Sequence, residues 1–144
     1  MLLEIITPEK KVYSGEADQV SLPTSEGEIT VLPNHLPLVT EINPGEITIK
    51  AAGKIHHLVT GKGFAEVTAK TVSVLTNLAE SGGELDEKRI EEAKKRAEEA
   101  LKEKHLMSEE EYAATAAALE QSLARLRFVR KHHTRGRIST EQEA

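Results

Sequence analysis

The stretch Glu26 to Glu46 reads E-G-E-I-T-V-L-P-N-H-L-P-L-V-T-E-I-N-P-G-E. Ile29 to Leu32 is a short β-rich run, and Pro33 ends it because proline fixes φ and offers no N–H to a strand ladder. An extended pattern resumes at Leu36 and runs to an N-P-G turn. The stretch therefore predicts strand, loop, strand. His35 lies between two prolines, in either an ordinary β-corner or a fixed surface for a partner.

Short alternating segments lie on both sides of this stretch. In Gly45 to Ala51, for example, Ile47 and Ile49 point to one face and the polar residues between them to the other. About eight or nine such segments follow one another through Thr76, all linked by turns. No connection is long enough for a crossover helix, so we expect antiparallel strands in a flattened β-sandwich or barrel.

The composition changes near Ser81. All five prolines lie at or before Pro44, and no arginine precedes Arg89. Beyond this point Ala, Glu, Lys, Leu and Arg dominate, which is typical of helices. We therefore predict an α+β protein with a β-sandwich over residues 1–83, a helix-turn-helix over residues 84–133 and a flexible tail over residues 134–144.

Two helices are predicted in the second part. Asp86 is a plausible N-cap for the first, which we expect to end near Lys104-His105. Ser108 and Glu111 form a capping box for the second. The short connection predicts an antiparallel hairpin, and its Ala-rich facing stripes bury little apolar area. Such a hairpin has low intrinsic stability and is able to pack on the β unit or to leave it.

Bulk composition excludes several classes of protein. The 144 residues carry a formal net charge of −5, which argues against nucleic-acid binding, and no cysteine, which excludes thiol chemistry and disulfides. No apolar run approaches the ~20 residues of a membrane span, and no secretory leader is recognisable, so we expect no insertion into lipid.

No catalytic or metal-binding constellation is evident. His56 and His57 adjoin on a predicted strand, so their side chains point to opposite faces and cannot chelate one ion together. The G-K-G sequence at residues 61–63 lacks the spacing of a phosphate loop. We therefore predict no enzyme activity, no metal and no cofactor.

The last part of the chain is basic on an otherwise acidic protein. No acidic residue lies between Glu120 and Glu141, an interval that holds Arg125, Arg127, Arg130 and Lys131. This pattern fits an acidic partner or, equally, a solvated helix end that complements its own dipole.

The central stretch resembles the signature region of the epsilon subunit of bacterial F-type ATP synthases. The similarity continues in V-Y-S-G-E-A-D-Q-V before it and in G-K-G-F-A-E-V and T-V-S-V-L-T after it. Leu85-Asp86-x-x-Arg89 resembles the start of that family's helical hairpin, and A-R-L-R-F-V, at residues 124–129, the end of its second helix. The resemblance covers residues 2 to about 131, in order.

The resemblance implies a ten-stranded sandwich and a helical hairpin in a non-catalytic subunit of the rotating central stalk. The subunit would couple ion-driven rotation of the membrane c-ring to ATP synthesis on the cytoplasmic face of the membrane, or on the stromal face of a plastid thylakoid. Its β unit would bind the gamma subunit and the polar loops of the c-ring. The residues that match the c-ring contact are Glu26, Gly27, Glu28, Asn34 and His35.

The family's hairpin also regulates the enzyme. Compact, it permits turnover; extended, it reaches the catalytic head of alpha and beta subunits and blocks ATP hydrolysis. The resemblance then implies that Arg125, Arg127, Arg130 and Lys131 face an acidic segment of the beta subunit.

Some family members bind ATP on the compact hairpin. This chain keeps Asp86, Arg89 and Arg125 from that site but has Ile90 in place of an alanine and Gln121 in place of an arginine. Losing one phosphate-facing charge costs ~1.5–3 kcal/mol, so we expect weak ATP binding or none.

Two other interpretations remain at this stage. One is an unrelated β-sandwich module whose helical hairpin binds another partner. The other is an enzyme with a site built from His35 and nearby carboxylates, for which the chain offers no second polar cluster.

Overall fold

The alternating segments of the N-terminal part form β-strands. The computed structural model describes residues 1–81 and 86–143, with side chains described as far as His132. Within that part of the chain there are ten strands: β1 Leu2–Ile6, β2 Lys11–Glu16, β3 Gln19–Thr24, β4 Gly27–Val31, β5 Leu38–Ile42, β6 Gly45–Ala51, β7 Lys54–Thr60, β8 Gly63–Val67, β9 Thr71–Thr76 and β10 Ala79–Ser81. The strands belong to one unit, Met1–Ser81, and the helices to a second, Gly82–Ala144.

The strands form a nearly closed sandwich. Their order is β10-β7-β6-β3-β5-β8-β9-β1-β2, and β4 pairs with β3 beside this path. β3 and β5 share a single residue pair, Thr24 with Ile42, so the sheet folds over at that point. One layer holds β10, β7, β6, β3 and β4, and the other holds β5, β8, β9, β1 and β2. The predicted fold class is thereby confirmed.

One strand pair departs from the antiparallel prediction. Among the described strand pairs, β1 and β9 alone run parallel, with Leu2 opposite Thr71 and Ile6 opposite Leu75. Short connections predict antiparallel pairing only for consecutive strands. β1 and β9 are far apart in sequence, and the rest of the sandwich connects them. The alternating pattern, which ends at Thr76, does not show β10, which pairs with β7 through three residues, Ala79 to Ser81.

The core of the first unit lies between the two layers. Inward-facing branched residues of both layers fill it, as the two-residue period predicts. Most of them are fully buried, including Leu3, Ile5, Val20, Leu22, Val31, Ile42, Ile47, Ile49, Val67, Val72 and Val74. The hydroxyls of Thr60 and Thr76 are buried and lie 3.1 Å apart, so each has a polar partner. This unit therefore has a hydrophobic core of its own.

Two helices form the second unit. α1 covers Glu87–Lys102 and α2 covers Glu109–Glu143, with a 3-10 turn at Lys104–Leu106 between them. Asp86 is the N-cap of α1, since its side chain accepts the N–H groups of Lys88 and Arg89. α1 ends two residues before the predicted Lys104.

The second helix begins at the predicted capping box and continues past residue 133. The Ser108 hydroxyl accepts the N–H of Glu111 at 3.1 Å, as the capping box predicts. The backbone of α2 then continues to Glu143, so the expected boundary at residue 133 is not a helix end. Gly136 weakens a helix but no proline follows it to stop one. The side chains from residue 133 onward lie outside the described residues, and the expected flexible tail at 134–144 stays a prediction.

Candidate functional site

The turn before β4 and the first two residues of that strand carry three of the five residues expected to contact a c-ring. Gly27 has a φ of 110°, a left-handed value that favours glycine. The Thr24 hydroxyl accepts the N–H of Glu26 at 3.2 Å and donates to the carbonyl of Gly27 at 2.5 Å. Glu26, Gly27 and Glu28 are all exposed. The turn is thus held by local hydrogen bonds while its two carboxylates face outward.

The loop after β4 carries Asn34 and His35, the other two residues expected to contact a c-ring. Asn34 has a left-handed φ of 66°, and its N–H donates to the carbonyl of Ala69 at 2.9 Å, which ties the loop to the turn before β9. His35 is half-buried, and its Nδ1 lies 2.7 Å from the carbonyl oxygen of Leu36. Because a carbonyl only accepts, Nδ1 carries the proton, and in the neutral ring Nε2 is then an acceptor.

These two groups do not form one compact tip. They lie at opposite ends of β4, which pairs with β3 over five residues, from Gly27 opposite Thr24 to Val31 opposite Val20. A strand of that length spans about 15 Å. Two apolar side chains that the sequence analysis did not assign to the surface, Leu32 and Leu36, are 52% and 80% exposed beside His35. The candidate surface is therefore a strip along β4 with an apolar end.

A second exposed surface lies on the outer face of β8, β9 and β1. Phe64 lies opposite Leu75, and Leu75 lies opposite Ile6, so the three side chains form one row across three strands. Phe64 and Leu75 are each 56% exposed. A cavity of about 360 Å³ at the end of this row is lined by Ile6, Thr7, Pro8, Lys62, Gly63, Leu75, Thr76 and Asn77. We call Phe64, Leu75 and Ile6 the apolar row.

Glycine at position 63 helps to shape this surface. A Cβ at Gly63 would collide with the backbone carbonyl of Leu75 on β9. The closeness of the two backbones at this point is what allows β8 and β9 to pair beside the cavity.

A histidine–carboxylate contact joins β6 and β7. His57 Nδ1 lies 2.6 Å from Glu46 Oε1, and both side chains are largely buried. Thr48 is opposite His57 and Ile49 is opposite His56, so the two histidines do point to opposite faces as predicted. The Glu46 contact escaped sequence reasoning because it depends on the register of β6 against β7.

The residues of the expected ATP site have other contacts. Asp86 Oδ1 accepts the N–H of Lys88 at 3.1 Å as part of the helix cap, and its Oδ2 lies 3.8 Å from Nε of Arg89. The Arg89 side chain is 87% exposed. Arg125 is half-buried on α2. Weak ATP binding or none at these residues stays a prediction.

The basic residues of α2 differ in their surroundings. Arg127, Arg130 and Lys131 are exposed, as a contact surface requires. Arg130, however, reaches α1: its Nη2 lies 3.0 Å from Glu91 and its Nε 3.4 Å from Glu87. Among the described residues, neither helix has the length and apolar character needed to cross a membrane.

Comparison with known families assigns both units. Residues 1–82 match the family described as "ATP synthase, Delta/Epsilon chain, beta-sandwich domain", and residues 84–130 match "ATP synthase, Delta/Epsilon chain, long alpha-helix domain". The two matched ranges follow the division between the sandwich and the hairpin.

Bacterial relatives align with most of the chain. An ATP synthase epsilon chain of Nitratidesulfovibrio vulgaris is 42% identical over 125 residues, which cover 87% of this chain and 92% of the relative. One from Janthinobacterium sp. is 38% identical over 133 residues, covering 91% and 94%.

A solved structure shares the fold. A chain in the cryo-EM structure of the Euglena gracilis mitochondrial ATP synthase (OSCP/F1/c-ring) superposes with a TM-score of 0.71 at 23% identity, over 86% of this chain and 78% of that one. The unrelated sandwich module considered from the sequence is not favoured by these matches. The chain therefore belongs to the ATP synthase delta/epsilon family, whose epsilon chains are non-catalytic accessory subunits of that complex.

Proposed function

We propose that this chain is the central-stalk subunit through which c-ring rotation reaches the catalytic head, and that its helices inhibit ATP hydrolysis. Family membership over both units supports the assignment. The observation that carries the division of labour is the presence of two separate units, a sandwich with its own core and a hairpin. The first is suited to rigid coupling and the second to rearrangement.

The gamma subunit is the proposed partner of the apolar row. Two side chains exposed by more than half, Phe64 and Leu75, are adjacent on paired strands, and a cavity lies beside them. Contiguous exposed apolar side chains of this kind mark protein–protein contacts. The row lies on the layer opposite to the one that holds β4, so one sandwich would contact two partners at once.

The polar loops of the c-ring are the proposed partner of the strip along β4. The strip offers the carboxylate of Glu26 in the turn before β4, that of Glu28 on the strand and the imidazole of His35 in the loop after it. Charged groups at an interface fix its register and its rate of formation more than its affinity. We therefore expect the c-ring contact to be sensitive to salt.

The helical unit is the proposed inhibitor. Of the described residues of α1, Ile90 and Ala97 are the buried ones, so this helix contributes few apolar contacts to the hairpin. An element that must change its position needs only a small free-energy gap between its two states. Arg125, Arg127, Arg130 and Lys131 would face acidic residues of the catalytic head when the hairpin is extended. The complex would lie at the cytoplasmic face of a bacterial membrane, with this subunit bound peripherally.

Site-directed photo-crosslinking tests the proposed c-ring contact. The chain has no cysteine, so Glu28→Cys, His35→Cys and the control Ser14→Cys each carry a single label. Ser14 is exposed on β2, on the other layer. In a reassembled bacterial F-type ATP synthase we expect positions 28 and 35 to crosslink to the c subunit and position 14 not to. Equal yields from all three positions would contradict the assignment.

A further inference from the structure

An ion-pair cluster joins the open end of the helical hairpin. Arg130 Nη2 lies 3.0 Å from Glu91 Oε1, and its Nε lies 3.4 Å from Glu87 Oε1. The two carboxylates are four residues apart on α1, so they lie on the same face of the helix. One guanidinium therefore binds two carboxylates from residues 39 and 43 positions earlier in the chain.

The cluster lies at the end of the hairpin where it holds the two helices together. The turn at Lys104–Leu106 holds the helices together at one end, and Arg130 holds them at the other, near the start of α1. The buried side chains of α1 are Ile90 and Ala97, and alanine removes little apolar area from water. On α1 the apolar contribution to the hairpin comes from Ile90 and Ala97, and the Arg130 contact adds a polar contribution at the open end.

We propose that Glu87 and Glu91 are an internal acidic partner for Arg130. While the hairpin is closed, these two carboxylates prevent Arg130 from binding acidic groups of another protein. We call these three residues the Arg130 latch. A guanidinium that is occupied by two carboxylates has to leave them before it binds carboxylates elsewhere. Opening the hairpin and exposing Arg130 are then one event. The latch follows from the contacts within the helical unit, and only the nature of the external partner rests on the proposed function.

Arginine is suited to this role and lysine is not. The planar guanidinium presents several N–H donors in a fixed fork, so it binds two acceptors at once. An ammonium group carries the same charge on a flexible stem and lacks that fork. An Arg130→Lys chain keeps the charge, and the proposal predicts that it loses part of the latch.

Amide hydrogen exchange measures the latch in the full chain without any partner. Exchange of buried helix amides reports rare opening even when the closed state dominates. The relevant amides run from Ile90 to Ala97, and the variants are Glu91→Gln, Arg130→Gln and the two combined. The matched control is Glu92→Gln, which removes the same charge from an exposed neighbour on α1. Glutamine is a good helix former, so these changes leave the helix propensity nearly intact.

A double-mutant cycle isolates the contact from general charge effects. The Arg130 side chain is 58% exposed and that of Glu91 48% exposed, so solvent screening keeps the effect modest. We expect the coupling between Glu91→Gln and Arg130→Gln to change the equilibrium constant for hairpin opening, measured by exchange, by about two- to fivefold. The cycle with Glu92→Gln should show no coupling. Arg130→Lys should exchange faster than the unmodified chain and more slowly than Arg130→Gln.

The outcomes distinguish the latch from the proposed function. Equal coupling in the Glu91 and Glu92 cycles, or identical exchange in the Arg130→Lys and unmodified chains, would overturn the latch. With the latch established, Glu91→Gln should inhibit ATP hydrolysis by an epsilon-free catalytic head more strongly than Glu92→Gln. Equal inhibition by those two chains would overturn the competition with an acidic partner and leave the internal contact standing. Absence of inhibition by every chain, including the unmodified one, would instead count against the proposed function.

Discussion

Replacing one residue of the apolar row should weaken gamma binding without unfolding the sandwich. Phe64 is 56% exposed on the outer face of β8. A phenylalanine side chain buries about 200 Å² when fully covered, so a partner that covers the exposed part removes roughly 110 Å² from water. At ~25 cal/mol per Å² this contributes about 2.8 kcal/mol, and losing it raises Kd by about a hundredfold.

The assay is titration of the cognate gamma subunit with purified chains by calorimetry. The test variant is Phe64→Ser and the matched control is Ile55→Ser. Ile55 has nearly the same exposure, 55%, but lies on β7 in the other layer. Both changes replace a large apolar strand residue by serine, so both should lower sandwich stability by a similar amount of at most ~1 kcal/mol. Urea unfolding of each chain measures that shared effect.

Two results would contradict a contact between the apolar row and gamma. Binding of Phe64→Ser with an unchanged Kd would show that the apolar row does not contact gamma. Equal weakening by Phe64→Ser and Ile55→Ser would show that the loss comes from the sandwich as a whole. A loss of affinity for gamma in Phe64→Ser but not in Ile55→Ser, together with a similar loss in Leu75→Ser, supports a contact along the row.

Three further predictions concern the core, the helix cap and nucleotide. Ile47→Ala empties a fully buried position and should lower the free energy of unfolding in urea by about 2–5 kcal/mol, whereas unchanged stability would contradict the assigned core. Asp86→Ala removes the N-cap of α1 and should destabilise the hairpin by ~1 kcal/mol in hydrogen exchange, and Asp86→Asn, which keeps a capping side chain, should not. ATP should bind the isolated chain weakly or not at all, so stoichiometric binding by calorimetry at micromolar nucleotide would show the prediction to be wrong.

The order of elements could be predicted because its signals are local. Alternation in segments such as Gly45 to Ala51 gave the strands, and Pro33 marked the end of β4. Asp86 and Ser108 marked both helix starts, since an N-cap is a contact between residues two or three positions apart. These features need no knowledge of which strands or helices become neighbours.

The partners of side chains could not be predicted, because they depend on register between distant segments. Phe64, Leu75 and Ile6 form a row only because β8, β9 and β1 are neighbours, and the β1–β9 pair is parallel. The residues of the strip along β4 were named from the resemblance, and their separation to the two ends of one strand depends on the pairing of β4 with β3.

The helices illustrate the same limit. Lys95 follows Glu91 by four residues, and because such residues are neighbours on a helix surface, the sequence favours a pair between them. In the structure Glu91 contacts Arg130 on the other helix. A pattern within one helix cannot report the register between two helices, so the basic surface of α2 was predicted without its internal acidic partner.

ATP hydrolysis by a bacterial catalytic head stripped of its epsilon subunit shows whether the sandwich binds and the helices inhibit. The head, with cognate gamma, would receive either the full chain or a version that ends at Ser81, a unit with its own hydrophobic core. If the sandwich binds and the helices inhibit, both chains should bind gamma and only the full chain should slow hydrolysis. Inhibition by the shortened chain, or binding of both chains without inhibition by either, would contradict that division of labour.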